Sequence, residues 1–218
     1  MNGEDAMESR IVKLYAADTT VPLKVVPGHF ATNHSHVNYY IDMTTLKTRV
    51  SEADEVAEHL SSKYMLNTVI DTIVCLDGTQ VVGALLAQEL AHSGLQSMNA
   101  HKSLYVVTPE TDGYGRKLFR ANLKPMIDGK HVLILMASVT TGQTIRKSAE
   151  CVCYYGGIME GVAAIFSAVP EVEGYSVHAV FHEADVPGYA SYPAGQCPLC
   201  AAGHKLDALV NSFGYSKL

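Results

Sequence analysis

A buried-strand pattern that leads directly into a helix constrains the fold of this chain more than any other feature. Residues 132–137 form an unbroken apolar run, which is typical of a strand that is buried on both faces of a parallel sheet. Hydroxyl residues and Gly142 end the run. A helical pattern follows, in which Ile145, Ala149 and Val152 share one face. The stretch therefore predicts a strand, a short loop and a helix.

The loop between this strand and helix has the composition of an anion site. Free N–H groups and the helix dipole favour an anion at a helix N-terminus, and threonine hydroxyls add donors. The obvious ligand is a phosphate monoester. The alternative is a capped helix without a ligand, because Ser and Thr often cap helices. The predicted phosphate-binding residues are Ser138, Val139, Thr140, Thr141, Gly142, Gln143 and Thr144.

Further apolar segments alternate with helical patterns along the chain. Strands are predicted within residues 68–76, 104–107, 162–169 and 175–181, and helices over residues 51–64 and onward from residue 81. A helical pattern also covers residues 4–17. The alternation indicates an α/β domain with a mainly parallel sheet flanked by helices.

A second loop follows the predicted strand at residues 68–76. It contains Asp77, Gly78 and Thr79, and a helical pattern begins after it. Ligands of parallel sheets bind beyond the carboxyl ends of the strands, and both loops are predicted to lie there. A plain strand-to-helix turn is the alternative for this second loop.

Composition and charge exclude several classes of protein. The chain has 218 residues, 48% of them hydrophobic, which is enough for one sizeable core. Its formal net charge of −6 argues against a nucleic-acid-binding surface. No apolar run reaches the roughly 18 residues that a membrane span needs, and residues 1–10 are polar, unlike a signal peptide. Five cysteines, an odd number, indicate free thiols in a reducing compartment, so we expect a cytoplasmic protein.

Cys197 and Cys200 form a Cys-x-x-Cys pair near the C-terminal end of the sequence. Such a pair is half of a structural zinc site, which needs four ligands. A redox dithiol and a plain tight turn are the alternatives. The spacing does not select the other two ligands, for which the candidates are His204, His182, Cys151 and Cys153.

Residues 132–144 resemble the ribose-5-phosphate loop of the type I phosphoribosyltransferases. In that family an apolar strand leads into two acids, two further residues and the pattern Thr-Thr-Gly-x-Thr. Residues 140–144 match this pattern, but Met136 and Ala137 stand where the two acids should be. The catalytic residues are therefore unknown. The resemblance implies that Asp77, Gly78 and Thr79 form the pyrophosphate-binding loop.

Residues 28–42 resemble a segment of the orotate phosphoribosyltransferases that forms a hood over the base. The residues that agree with the family pattern are Thr32, His36, Tyr39, Tyr40, Ile41 and Asp42. The resemblance implies that His36 and Tyr40 belong to a base-binding hood. His29, His34 and His36 are also candidate metal ligands, and the alternative for them is a solvated loop.

Residues 108–117 correspond by resemblance to a mobile loop that closes over the pyrophosphate. In the family this loop carries several basic residues, whereas here Arg116 and Lys117 are the nearby cations. We assign Tyr114, Gly115, Arg116 and Lys117 to this loop. The alternative for the two cations is a solvated surface.

The resemblance implies a single phosphoribosyltransferase-like domain over residues 1–218, with a core at about residues 50–181 and a small hood from about residues 1–49 and 182–218. It implies a glycosyltransferase of pyrimidine nucleotide biosynthesis that transfers or binds a 5-phosphoribosyl group. The implied ligands are phosphoribosyl pyrophosphate or a nucleoside monophosphate, with Mg2+ as cofactor and a homodimer as the assembly.

The missing acids and loop lysines leave open whether the chain is an enzyme. One alternative is a catalytically degenerate relative that binds a nucleotide or sugar phosphate as a sensor or regulatory subunit. Another is an interaction protein that is stabilised by a structural zinc ion and binds no small ligand.

Overall fold

A six-stranded sheet forms the centre of the protein in a computed structural model, which describes residues 5–92, 97–100 and 103–218. Its strands are, in spatial order, β10 (Glu171–Val172), β11 (Tyr175–His182), β9 (Ile158–Ser167), β8 (His131–Val139), β4 (Thr72–Cys75) and β5 (Tyr105–Val107). All neighbouring strands are parallel except β10 and β11. This sheet confirms the predicted α/β fold.

Helices cover both faces of the central sheet. Alternate residues of β8 point to opposite faces, as expected for a strand. Leu133 and Leu135 belong to a hydrophobic cluster that includes buried residues of α3 (Val50–Ser61) and α4 (Gln80–His92). Val132 and Ile134 belong to a second cluster with buried residues of α5 (Gln143–Tyr154). Because β8 is apolar on both faces, it forms the middle layer between these two clusters.

A second sheet combines segments from the two ends of the chain. Its strands are, in spatial order, β12 (Ser191–Tyr192), β3 (His36–Asp42), β2 (Leu23–Ala31), β13 (Ala208–Asn211) and β14 (Gly214–Lys217), and β1 (Val12–Leu14) also pairs with β2. Strands β2 and β3 are antiparallel, whereas β13 is parallel to β2. We propose that this sheet and its connections are the hood, and that residues 50–181 are the core.

The remaining elements are short. They are the helices α1 (Asp5–Glu8), α2 (Thr44–Thr48) and α6 (Pro198–Ala201), the strands β6 (Glu110–Thr111) and β7 (Lys117–Leu118), and 3-10 turns at Lys124–Met126, Glu183–Asp185 and Ala194–Gln196. Within the described ranges, no helix is long and apolar enough to cross a membrane.

The N-terminal helix predicted over residues 4–17 is wrong beyond residue 8. The chain instead forms β1, in which Val12 pairs with Val25 of β2. Pairing with a strand that lies farther along the chain thus overrides the local helical pattern. The helix predicted at residues 51–64 is confirmed as α3, with a start at Val50 and an end at Ser61.

Gly83 allows α4 to pack directly on β4. A Cβ atom at this position would lie 2.3 Å from the Sγ atom of Cys75 and 3.3 Å from Cγ1 of Val106. We therefore expect Gly83→Ala to lower the free energy of unfolding by about 1–3 kcal/mol through overpacking, although alanine favours helices. Urea titration measures this change.

Gly113→Ala is the matched control, because a Cβ atom there would meet no atom within 4 Å. It should be nearly neutral. The double variant Gly83→Ala, Cys75→Ala should recover part of the lost stability, since it removes the nearest clash. A single Gly83→Ala variant as stable as Gly113→Ala would contradict this packing argument.

Candidate active site

The N-terminus of α5 has the geometry of an anion site. Gly142 is its N-cap residue, with a left-handed φ of 75°, and no side chain caps the helix. The first intrahelical bond at this end is donated by the N–H of Arg146 to the carbonyl oxygen of Gly142, at 3.0 Å. The N–H groups of the preceding helical residues therefore have no partner within the helix, which is the arrangement that binds anions.

The threonine hydroxyls of this loop do not serve as helix caps. In the described part of the chain, no hydrogen bond is formed by the hydroxyls of Thr140, Thr141 or Thr144. The structure thus disfavours the alternative in which these residues only cap α5. Their role as phosphate donors stays a prediction.

The packing around residue 142 also requires glycine at this position. A Cβ atom there would lie 2.6 Å from Cγ2 of Val172 in β10. The β10–β11 hairpin therefore presses against the loop at the residue that adopts the left-handed conformation. Both the positive φ and the lack of space favour glycine at this position.

The second predicted loop makes a tight left-handed turn at the carboxyl end of β4. Asp77 and Gly78 have φ values of 57° and 79°. The buried Thr79 hydroxyl donates to the carbonyl oxygens of Leu76, at 2.7 Å, and Leu135, at 3.2 Å. This hydroxyl therefore ties the end of β4 to β8, so it is not free to bind a ligand.

Lys47 is a site residue that the sequence analysis missed. Its ammonium group donates to the carbonyl oxygen of Asp77, at 3.1 Å, and to that of Ser212. Burial lowers the pKa of Lys47, and the carboxylates of Asp77 and Asp42 oppose this effect. A lysine in a five-residue helix carries no sequence signal for such a contact, because its partners lie 30 and 165 residues away.

Asp77 supplies a carboxyl group to the same region. Burial raises the pKa of this carboxyl, and the charge of Lys117, a hydrogen bond with Ser212 and the charge of Lys47 oppose the shift. Lys117 of the predicted mobile loop thus acts electrostatically on the predicted pyrophosphate loop. The acid comes from the end of β4 and not from β8, where the family pattern places its two acids.

The two loops meet at a cleft of about 210 Å3. Three of the predicted phosphate residues line it, namely Ser138, Thr140 and Thr144, together with Met136, Asp77 and Tyr40. The C-terminal segment of residues 197–218, here called the tail, contributes three lining residues that the sequence analysis missed. They are Val210, Asn211 and Ser212. The cleft lies between the central sheet and the second sheet, since its lining comes from both.

The two residues at the positions of the missing acids face different surroundings. Met136 lines the cleft, whereas Ala137 is fully buried in the cluster that includes α3 and α4. Of these two positions, only residue 136 is placed to contact a ligand in the cleft.

The predicted mobile loop is a hairpin of β6 and β7. Arg116 forms an ion pair with Asp112, at 2.7 Å, and its guanidinium lies 5.5 Å from the ring centre of Tyr114. None of Tyr114, Gly115, Arg116 and Lys117 is among the residues that line the cleft. Arg116 is therefore held within its own hairpin. Of the two cations in this loop, Lys117 is the one whose charge acts on Asp77.

Two predicted histidines lie beside the Cys-x-x-Cys pair. The Nδ1 atom of His36 is 3.2 Å from Sγ of Cys200, and Nε2 of His29 is 3.5 Å from Sγ of Cys197. The tail thus contacts the β2–β3 hairpin. His29, His36, Cys197 and Cys200 form one cluster of potential metal ligands. The cluster contains none of the four residues that the sequence analysis named as candidates for the other two zinc ligands. Of the two predicted hood residues, Tyr40 lines the cleft and His36 faces the cysteines.

Comparisons with known proteins agree with this architecture. The chain is 28% identical to an orotate phosphoribosyltransferase of Thermus thermophilus over 188 residues, which cover 84% of this chain and 92% of the relative. No protein-family model matches the chain.

Two solved structures share the fold. An orotate phosphoribosyltransferase of Mycobacterium tuberculosis H37Rv, in complex with Fe(III) dicitrate, matches with a TM-score of 0.51 and 17% identity over 76% of this chain and 93% of that one. An adenine phosphoribosyl transferase of Trypanosoma brucei, in complex with AMP, pyrophosphate and ribose-5-phosphate, matches with a TM-score of 0.51 and 13% identity over 85% and 81%. The comparisons confirm the resemblance to phosphoribosyltransferases and the fold that it implies.

The raised pKa of the Asp77 carboxyl predicts a pH-dependent cost to stability. Because burial favours its neutral form, stability is lost as the pH rises from the pKa of the unfolded chain through that of the folded protein. We expect Asp77→Asn to be more stable than the wild type at about pH 8, and the difference to shrink towards about pH 3, where both side chains are neutral. Guanidinium titrations at several pH values measure this difference.

A lower stability of Asp77→Asn at pH 8 would contradict the expectation. It would mean that Lys47 and Lys117 stabilise the carboxylate by more than burial destabilises it.

Proposed function

We propose that this orotate-phosphoribosyltransferase-like protein binds a 5-phosphoribosyl group in its cleft and transfers it to a pyrimidine base. The ligand would be phosphoribosyl pyrophosphate or a nucleoside monophosphate. The observation that carries the proposal is the N-terminus of α5, where left-handed Gly142 leaves the first N–H groups uncapped beside the hydroxyls of Thr140 and Thr144. A phosphate monoester fits this donor set because it brings charge and several acceptor oxygens.

The rest of the cleft is suited to a sugar and a base. The Asp77–Gly78 turn lies at the end of the strand next to β8, where the pyrophosphate of the ligand is proposed to bind. Tyr40 is the proposed base contact. Burial raises the pKa of its phenol, so the hydroxyl stays neutral and can donate a hydrogen bond.

Phosphoribosyl transfer builds positive charge on the sugar and negative charge on the leaving pyrophosphate. A catalyst therefore needs cations at the pyrophosphate and acids at the ribose, because preorganised charges usually carry much of the rate enhancement. Lys47 and Lys117 are the proposed cations, since both act on Asp77. Asp77 is the proposed acid. Lys47, Lys117 and Asp77 all lie outside β8, the strand in which the family pattern has its two acids.

Magnesium would shield the pyrophosphate charge when bound. Mg2+ commonly binds through one or two carboxylates together with substrate phosphates. Among the described residues that line the cleft, Asp77 is the one carboxylate, so the protein alone offers few ligands. We propose that Mg2+ enters with the pyrophosphate of the substrate and is not held by the protein beforehand.

A second candidate function is binding without transfer, as in a sensor or regulatory subunit. It is favoured by Met136, which lines the cleft where the family has an acid, and by buried Ala137. Loss of one charge-handling group commonly costs about 10²–10³ in rate. Transfer is therefore expected to be slow in this protein.

The remaining parts of the proposal rest on the resemblance. They are a role in pyrimidine nucleotide biosynthesis, a cytoplasmic location and a homodimer. The five cysteines are all unpaired, which suits a reducing compartment. Tyr114 and Tyr154 are 88% and 84% exposed and line one groove, which provides apolar surface for a second copy. Light scattering in solution tests the dimer.

Calorimetric titration with phosphoribosyl pyrophosphate, with and without Mg2+, tests the proposed function. We expect binding that strengthens with Mg2+, and slow formation of a nucleotide when orotate is added. Binding without any turnover would support the second candidate. Absence of binding for both phosphoribosyl pyrophosphate and ribose 5-phosphate would refute both.

Gly142→Ala tests the role of the loop in phosphate binding. The substitution forces a side chain into a left-handed conformation and against Val172, so the N–H groups at the start of α5 must shift. We expect affinity for ribose 5-phosphate to fall at least about tenfold, or about 1.4 kcal/mol. Calorimetry on the folded variant measures the loss.

Gly129→Ala is the matched control. Gly129 has a similar φ of 68°, no atom within 4 Å of its would-be Cβ, and a position at the other end of β8. We expect Gly129→Ala to have a comparable cost in free energy from the left-handed backbone conformation. Its affinity for ribose 5-phosphate should be unchanged. Unchanged affinity in Gly142→Ala as well would count against the loop as the phosphate site.

A further inference from the structure

We propose that His29, His36, Cys197 and Cys200 bind one Zn2+ ion that fastens the C-terminal segment to the second sheet. One potential ligand atom from each of the four residues lies within 4.8 Å of all the others. Two cysteines and two histidines are a common ligand set for structural zinc. The inference does not depend on the proposed phosphoribosyl ligand.

Four of the six distances between the ligand atoms lie within about 0.4 Å of the edges of a zinc tetrahedron. With Zn–N near 2.05 Å and Zn–S near 2.3 Å, tetrahedral geometry gives N···N of about 3.3 Å and N···S of about 3.6 Å. Nε2 of His29 is 3.2 Å from Nδ1 of His36, and 3.5 and 3.6 Å from the sulfurs of Cys197 and Cys200. Nδ1 of His36 is 3.2 Å from Sγ of Cys200. The atoms are thus already placed around one point.

The ring of His29 is oriented for metal binding. Its Nδ1 atom lies 3.0 Å from the carbonyl oxygen of His204, which can only accept a hydrogen bond. Nδ1 therefore carries the proton in the neutral ring, and Nε2 directs its lone pair at the cysteines. A backbone carbonyl that fixes the tautomer in this way is typical of zinc-bound histidine. His29 is buried, with 3% of the residue exposed, so packing sets this ring orientation.

The ligands come from two distant parts of the chain. His29 lies in β2 and His36 begins β3, whereas Cys197 precedes α6 and Cys200 lies within it. All of the cysteines are free, so no disulfide performs this linkage. A bound metal would close a long loop of the chain, which is where a cross-link contributes most.

The zinc-bound segment leads directly to a wall of the cleft. Asp207 accepts a hydrogen bond from the N–H of His29, at 2.8 Å, and β13 then pairs with β2. Asn211 and Ser212 at the end of β13 line the cleft. The ion would therefore hold the tail in the register that positions these residues.

Metal analysis of the purified full chain tests the site first. We expect one Zn2+ per chain, and one Co2+ after exchange, with the absorption bands of tetrahedral cobalt and of thiolate-to-cobalt charge transfer. These bands identify sulfur ligands, which an adventitious surface ion would not produce. A chain that binds neither metal at stoichiometric amounts would overturn the proposal.

Cys200→Ser and His36→Gln are the informative variants, because Cys200 is exposed and His36 is half-buried, so folding should tolerate both changes. Each should weaken Co2+ binding at least about tenfold, since removal of one ligand leaves an incomplete tetrahedron. Cys153→Ser is the matched control, because Cys153 is exposed and outside the cluster. Unaltered cobalt spectra in Cys200→Ser would overturn the assignment.

Hydrogen exchange of the folded wild type provides a readout of the tail itself. After removal of zinc by a chelator, residues 198–212 should lose protection while β8 keeps its protection. Thiol alkylation of Cys197 and Cys200 should become fast in the same step. Fast alkylation before the chelator is added, with no zinc present, would show a redox or unpaired dithiol instead.

Discussion

The candidate site depends on one backbone constraint, which is the left-handed turn at Gly142 between β8 and α5. β8 is apolar on both faces and fixed between neighbouring parallel strands, so the position of its carboxyl end is set by the core. The turn at Gly142 then directs the uncapped start of α5 back towards that end. Val172 leaves no room for a side chain at this turn. The core therefore sets the position of the proposed anion site.

The charges around this site have a different origin from those of the family pattern. The end of β8 carries Met136 and buried Ala137, so it contributes no carboxylate. The turn after the neighbouring strand β4 contains Asp77. Burial raises the pKa of its carboxyl, and the charges of Lys117 and Lys47 oppose this shift. Under the proposed function, such a site would bind a phosphate firmly and still stabilise the developing charges of transfer poorly. This contrast explains why binding and turnover must be measured separately.

Local pattern predicted the parts of the fold that depend on neighbours in sequence. The apolar run of β8 and the α5 helix follow from periodicity, and Gly142 follows from the motif. β1 was not predicted, because its strand conformation depends on pairing with β2. The contact of Lys47 with Ser212 and the contact of His29 with Cys197 were not predicted for the same reason, because the partners lie far apart along the chain. The spacing of Cys197 and Cys200 could identify half of a metal site but could not identify the other ligands.

A crystal structure with ribose 5-phosphate would show whether the loop at Gly142 is the phosphate site. We expect the phosphate to lie at the start of α5, with its oxygens at about 2.7–3.2 Å from the N–H nitrogens of Gln143 and Thr144. The sugar should extend into the cleft between Asp77 and Tyr40. A phosphate bound elsewhere, with the start of α5 left to solvent, would contradict the claim that this loop is the phosphoribosyl site.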